Sequence, residues 1–186
     1  MARGVLVILS GPSGVGKDTV IDAWRQLDPR VSRVVAYTTR QPRPGEQDGV
    51  DYHFVSPETF LRLADEGAFL EFKEVHGNHY ATPLADLDTM LADGKIAVLK
   101  IDVQGALTAM ELRPEAVSVF LLPPTTQELE RRIVARQTDS PDVITRRMIN
   151  AREEMALAHH YRFQIVNESV EEVVTHLVGI VGKEIE

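Results

Sequence analysis

Val5-Leu6-Val7-Ile8-Leu9-Ser10-Gly11-Pro12-Ser13-Gly14-Val15-Gly16-Lys17-Asp18-Thr19 is the stretch on which the reading of the chain turns. Its apolar run, Val5 to Leu9, reads as a strand buried on both faces, the pattern of a parallel sheet. The run ends in Gly11-x-x-x-x-Gly16-Lys17, and Thr19 to Trp24 reads as the start of a helix. A glycine-rich turn between a strand and a helix is the setting a phosphate-binding loop requires. The glycines let the backbone curl so that several N–H groups face one anion. The helix N-terminus adds partial positive charge, and Lys17 reaches the outer phosphates of a nucleotide. Gly11, Pro12, Ser13, Gly14, Val15, Gly16, Lys17, Asp18 and Thr19 are therefore candidates for nucleotide contact. Asp18 stands where a Ser or Thr hydroxyl normally helps hold Mg²⁺, so the candidate metal contact is Asp18 or the hydroxyl of Thr19.

Working outward, 186 residues make one domain, or one core with small insertions, and 44% hydrophobic residues suffice for a real core. Cysteine is absent, which excludes disulfides and thiolate metal sites. No apolar run approaches membrane-spanning length, and the first residues lack a signal-peptide layout. The expectation is a cytoplasmic enzyme with no membrane partner. A net charge of −8 argues against a nucleic-acid partner, which would need a basic face. Of the 20 cations, 15 are Arg, and eight of these fall in 40–43, 131–136 and 146–152. Arginine makes forked contacts with phosphate oxygens, so these clusters read as local anion sites on an acidic protein.

Strands and helices alternate, which points to a parallel sheet covered by helices. Val31 to Tyr37 reads as a strand. Residues 41–51, with two prolines and two glycines, read as a loop, and Tyr52 to Val55 as a short strand. Ser56 is placed to cap a helix that has Pro57 at its first position and Gly67 at its end. Phe69 to Val75 and His79 to Thr82 flank Gly77-Asn78 as a hairpin, and Pro83 opens a helix that stops at Gly94. Ile96 to Val103 reads as a second buried strand, and Val117 to Leu122 as another. Helices follow over Thr126–Arg136 and Asp142–Ala158, then a strand over Phe163–Val166 and a closing helix. The core is thus interrupted by an antiparallel insertion at 35–85 and by an arginine-rich helical hairpin at 126–157.

Thr38-Thr39-Arg40-x-x-Arg43-x-x-Glu46-x-x-Gly49-x-x-Tyr52-x-Phe54-Val55 resembles the guanylate kinase family pattern at every specified position. Glu71, Gly77-Asn78-x-Tyr80, Ile101-Asp102-x-Gln104-Gly105 and Ile165-Val166-Asn167 continue the resemblance in order. The fold it implies is an α/β nucleoside monophosphate kinase of the P-loop type, with a central parallel sheet flanked by helices. Core segments 1–34, 86–125 and 158–186 would carry a GMP-binding domain, 35–85, and a lid, 126–157. The implied reaction is reversible phosphoryl transfer from ATP to GMP with Mg²⁺, with dGMP as a second acceptor. Whether the chain works as a monomer or a homo-oligomer stays open.

Residue by residue, the resemblance implies GMP contacts from Arg40, Arg43, Tyr52, Glu71, Tyr80, Thr82 and Asp102. It implies ATP contacts from the glycine-rich loop, Arg132 and Asn167. Lys17, Arg40, Arg136 and Arg147 are the candidate catalytic residues. Two guanidinium forks and a phenol suit a dianionic monophosphate. Glu71 can accept from the guanine ring N–H and amino group, and Thr82 can donate to the ring oxygen, whereas adenine offers Glu71 no matching donor pair. Arginines on a closing hairpin bring charge to the transferring group only when both substrates are bound. Arg131 and Arg146 read as surface charges, as do the histidines. Three residues depart from the pattern. Ala36 replaces a serine, Asp18 replaces the hydroxyl after Lys17, and Lys100 replaces an acid two residues before Asp102. The last two suggest an exchanged Asp18–Lys100 pair. Two other functions are compatible with the loop: a ribose 1,5-bisphosphate phosphokinase, and a non-catalytic guanylate-kinase-like binding module.

Overall fold

A computed structural model describes residues 4–75, 77–135 and 140–185. At its centre is a five-stranded, all-parallel sheet of β1 (Val5–Ser10), β2 (Val31–Arg33), β7 (Ile96–Lys100), β8 (Val117–Leu122) and β9 (Phe163–Val166), in the order β2-β7-β1-β8-β9. All six residues of β1 are buried because the strand is central and covered on both faces. Val5, Val7 and Leu9 point to one side, against Val20, Ile21 and Trp24 of α1 (Lys17–Leu27) and Val173, Val174 and Leu177 of α7 (Val170–Ile185). Leu6 and Ile8 point to the other, against Leu87 of α3 (Leu84–Ala92) and Ala106 and Ala109 of α4 (Val103–Leu112). This period-two division is what a doubly covered strand must show.

A second sheet, in the order β4-β3-β6-β5, is built from β3 (Tyr37–Thr38), β4 (His53–Phe54), β5 (Phe69–Val75) and β6 (Asn78–Pro83). Between β4 and β5 lies α2 (Pro57–Asp65), capped by Ser56 Oγ accepting from the Thr59 amide at 3.2 Å. Phe60 is fully buried beneath this sheet, its ring 4.9 Å from Phe69 and 5.2 Å from His79. The hairpin α5 (Thr126–Val134) and α6 (Pro141–Ala156) closes on Leu129, Ile133, Met148 and Ala151.

Three readings of the sequence are corrected. The strand expected over Val31–Tyr37 is two strands in different sheets: the Val34 amide still bonds Val98 O in the parallel sheet, while Tyr37 pairs with Ala81 and His53. The apolar residues Val34 to Tyr37, which span the switch between sheets, conceal this change of partner. The insertion is also not wholly antiparallel, since β3 and β4 pair in parallel. Finally, the strand expected over Ile96–Val103 ends at Lys100, and Asp102 caps helix α4, accepting from the amides of Gln104 and Gly105. Val103, Ala106, Leu107 and Met110 follow helical spacing, a signal masked by the alternation of Leu99, Ile101 and Val103 with Lys100 and Asp102, which reads as strand. At the hairpin, Asn78 already pairs with Val75 as part of β6.

Candidate active site

The C-terminal end of β1 turns into the loop Gly11–Gly16, which wraps the N-terminus of α1. Gly11, Gly14 and Gly16 all have positive φ (153°, 88° and 102°). A Cβ on Gly11 would lie 2.6 Å from Leu121 O, and one on Gly16 would lie 2.8 Å from Asn167 Nδ2, so two of these positions exclude side chains sterically as well. Lys17 folds over the loop and donates to the carbonyls of Gly11 and Pro12. The loop is held from outside by three further residues. Asn167 Nδ2 (2.7 Å) and Arg132 Nη1 (3.3 Å) both donate to Val15 O, and Arg147 Nη2 donates to Ser13 Oγ at 2.7 Å. Arg132 also donates to Glu128, which Arg131 shares; the hydrogen bonds from both arginines hold the Glu128 carboxyl down at about 2. Arg136 lies outside the described residues, as does His76.

Across the cleft, a cavity of about 220 Å³ is walled by Glu71, Tyr52, Tyr80, Ala36, Lys100 and Asp102. Glu71, on β5, is 7% exposed, and burial raises its carboxyl above the usual range, with Asp102 adding to the effect. Thr82 opposes that rise by donating its hydroxyl to Glu71 Oε1 at 2.7 Å. A hydroxyl has one proton to give. Thr82 therefore stands behind Glu71 and orients it, and it does not face the cavity with a free donor. Gly105 closes the other side: a Cβ there would sit 2.8 Å from Glu71 Oε2 and 3.0 Å from Asp102 Oδ1. Both carboxylates thus converge on a position that needs a missing side chain.

A third, strongly polar recess is lined by Arg33, Arg40, Arg43, Tyr52, Tyr80 and Lys100 together with three acids. The Arg40 fork is engaged by Glu46, at 2.9 and 2.8 Å, and Glu46 also accepts from the Arg43 amide at 2.7 Å. One carboxylate thereby organises both arginines. Arg40 lies 5.4 Å from the Tyr52 ring centre. Asp18 Oδ1 accepts from Lys100 Nζ at 2.5 Å, and Arg33 Nη1 lies 3.7 Å away, so the expected pair is formed. Burial alone would raise the Asp18 carboxyl, but Lys100, Arg33 and Lys17 together bring it below its ordinary value. Lys100 is also pushed down, by burial and by Arg33, because hydrogen-bonded Asp18 and the nearby charge of Asp51 do not make up for lost water.

Sequence reasoning missed Arg33 and Glu154. Arg33 ends a short strand and carried no motif, although a lone arginine among Val31, Val34 and Val35 is itself unusual. Glu154, on α6, lines the phosphate-loop cleft beside Lys17 and Asp102, where burial raises its carboxyl against the pull of Lys17. Nothing in its spacing separates it from the other acids of a solvated helix.

Residues 3–184 match the family model described as guanylate kinase. The chain belongs to the guanylate kinase family. It is 47% identical over 178 residues to a guanylate kinase of Aromatoleum aromaticum, covering 96% of this chain and 87% of that protein. A guanylate kinase of Lactobacillus johnsonii is 46% identical over 98% of this chain and 90% of its own length. Among solved structures, the guanylate kinase of Anaplasma phagocytophilum superposes with a TM-score of 0.79 at 34% identity, covering all of this chain and 88% of that one. The α/β P-loop kinase fold and membership among nucleoside monophosphate kinases follow from these likenesses.

Proposed function

We propose that this chain transfers the γ-phosphoryl group of ATP reversibly to GMP, giving ADP and GDP, with dGMP as an alternative acceptor. The observation that carries the reading is Glu71: a buried carboxylate, oriented by Thr82, facing a purine-sized cavity that opens onto a phosphate-binding loop. Guanine presents two adjacent N–H donors to such a carboxylate, and adenine does not, so the wrong base leaves a buried charge unpaired. Asp102, on the same wall, is assigned to GMP as well. Arg40, Arg43, Tyr52 and Tyr80 are assigned to the GMP phosphate. The loop Gly11–Thr19, Arg132 and Asn167 are assigned to ATP, with Lys17, Arg40 and Arg147 acting on the transferring group and Arg136 as a fourth candidate. The segments 35–85 and 126–157 serve as GMP domain and lid on the core 1–34, 86–125 and 158–186.

The attacking group is a phosphate oxygen of GMP, anionic near neutral pH, so no general base is required. A bond forms from that oxygen to the γ-phosphorus as the bond to the ADP oxygen breaks, and the protein contributes alignment and charge. Mg²⁺ is suited to the same cleft: an ionised Asp18, with one oxygen held by Lys100, stands beside the Thr19 hydroxyl. When bound, the ion neutralises charge on the phosphates with which it arrives. Among the described residues no helix is long and apolar enough to cross a membrane, which is compatible with the proposed cytoplasmic setting. A coupled ADP-release assay with ATP against GMP, dGMP, AMP and ribose 1,5-bisphosphate tests the proposal. GMP turnover at least 10²-fold above AMP, lost in Lys17→Ala, is expected on the order of known polar discrimination. Equal use of AMP, turnover of ribose bisphosphate alone, or no turnover at all would each refute it.

A further inference from the structure

Lys100 occupies the point where the three recesses of the cleft meet. The cavity beside Glu71, the phosphate-loop cleft and the arginine recess have Lys100 and Tyr52 in common, and of these two only Lys100 carries charge. Its side chain is 17% exposed, and its ammonium is bound to Asp18, whose own side chain is 65% exposed. Arg33 faces the same carboxylate oxygen from 3.7 Å. Two cations therefore share one carboxylate oxygen.

They are anchored differently. Arg33 also donates to Asp51 O at 3.1 Å and lies 5.7 Å from the Tyr52 ring centre, so it is fixed from two further directions. Lys100 has a flexible stem, and the like charge of Arg33 presses on it. Asp18 is more exposed than Lys100 and keeps Arg33 if Lys100 leaves. Lys100 is the desolvated member and gains most from any anion that enters the junction.

We propose that Lys100 is a further catalytic residue, parked on Asp18 and moving onto the phosphate oxygens that bridge the two nucleotides when both are bound, while Arg33 retains Asp18. The proposal rests on the function proposed above. The movement exchanges one ionic partner for another; no covalent bond changes and no proton is transferred. An ammonium already paired with a carboxylate leaves it for a place where more negative charge lies within its reach, and at this junction that place is where the phosphates of the two nucleotides meet.

Calorimetric titration in EDTA, with an adenosine–guanosine dinucleotide joined through five phosphates, reads this contact without metal or turnover. Lys100→Met should weaken that ligand about tenfold or more, the size of a lost charge-assisted hydrogen bond, and GMP alone by less than about threefold. In steady state the same variant should lose about tenfold in kcat while the KM for GMP changes by less than about threefold. Asp18→Asn should tighten the five-phosphate ligand, and by more in the wild-type background than beside Lys100→Met, because only there does it free Lys100. Lys100→Gln, which keeps part of the stem and a polar end without the charge, gives the same readout should Lys100→Met lose its fold. Equal binding by wild type and the Lys100 variants overturns the proposal, as does an Asp18→Asn effect identical in both backgrounds. Failure of the underlying function is distinguishable: wild type would then neither phosphorylate GMP nor bind it.

Discussion

Replacing Gly105 with alanine separates recognition from folding. Gly105 lies in the first turn of α4 and its φ is not positive, so alanine suits the backbone and should help the helix by up to about 1 kcal/mol. Its new Cβ would meet Glu71 Oε2 at 2.8 Å, where ordinary contact begins at 3.4 Å, so the carboxylate must retreat by about 0.6 Å. Asp102 Oδ1, at 3.0 Å, must give way by a smaller amount. Glu71 cannot rotate freely, because Thr82 holds its other oxygen at 2.7 Å. A misplacement of about 1 Å at a reacting or recognising group costs on the order of 10²-fold, so the displacement here should cost about tenfold in kcat/KM for GMP. The assay is the coupled ADP-release measurement across GMP concentrations, run beside a denaturant titration. The expected pair of results is a tenfold functional loss with stability within about 1 kcal/mol of wild type. GMP kinetics within twofold of wild type would refute the reasoning, and a stability loss above about 3 kcal/mol would show that Gly105 serves packing instead.

Two further outcomes follow from the same geometry. Because burial raises the Glu71 carboxyl, the folded protein holds that proton more tightly than the unfolded chain does. The cost of keeping Glu71 ionised is then absent below its ordinary value and complete above the raised one. Glu71→Gln should match wild-type stability near pH 4, exceed it at pH 8, and lose the preference for GMP over AMP; a variant less stable than wild type at pH 8 would contradict this. Phe60→Ala, which empties the fully buried centre of the second sheet, should cost about 3–5 kcal/mol locally. Hydrogen exchange should then quicken in β5 and β6 while β1 and β8 stay protected, and uniform loss of protection would argue against a separately cooperative insertion.

Much of the site was legible because it is contiguous. The loop from Gly11 to Thr19 carries its geometry in adjacent residues, and the Arg40–Tyr52 segment likewise keeps its charges within one stretch. Legibility ended where function depends on which partner a side chain finds. Thr82 has the right hydroxyl for a base contact, yet its proton goes to Glu71 across the hairpin. Arg40 reads as a free guanidinium, yet Glu46 occupies one edge of it and sets its direction. Arg33 is a lone charge among valines, and α4 was hidden because Ile101 and Val103 alternate with Lys100 and Asp102 and so imitate a continuing strand.

Taken alone, the order of residues determined the parallel core, the phosphate loop and the family, since backbone curvature and hydrophobic period are properties of neighbours along the chain. Tertiary structure decided the charge partners: which carboxylate is buried, which cation it holds, and which glycine must stay bare. Those depend on distances through space between residues as far apart as Asp18 and Lys100, and on the water that folding removes from between them.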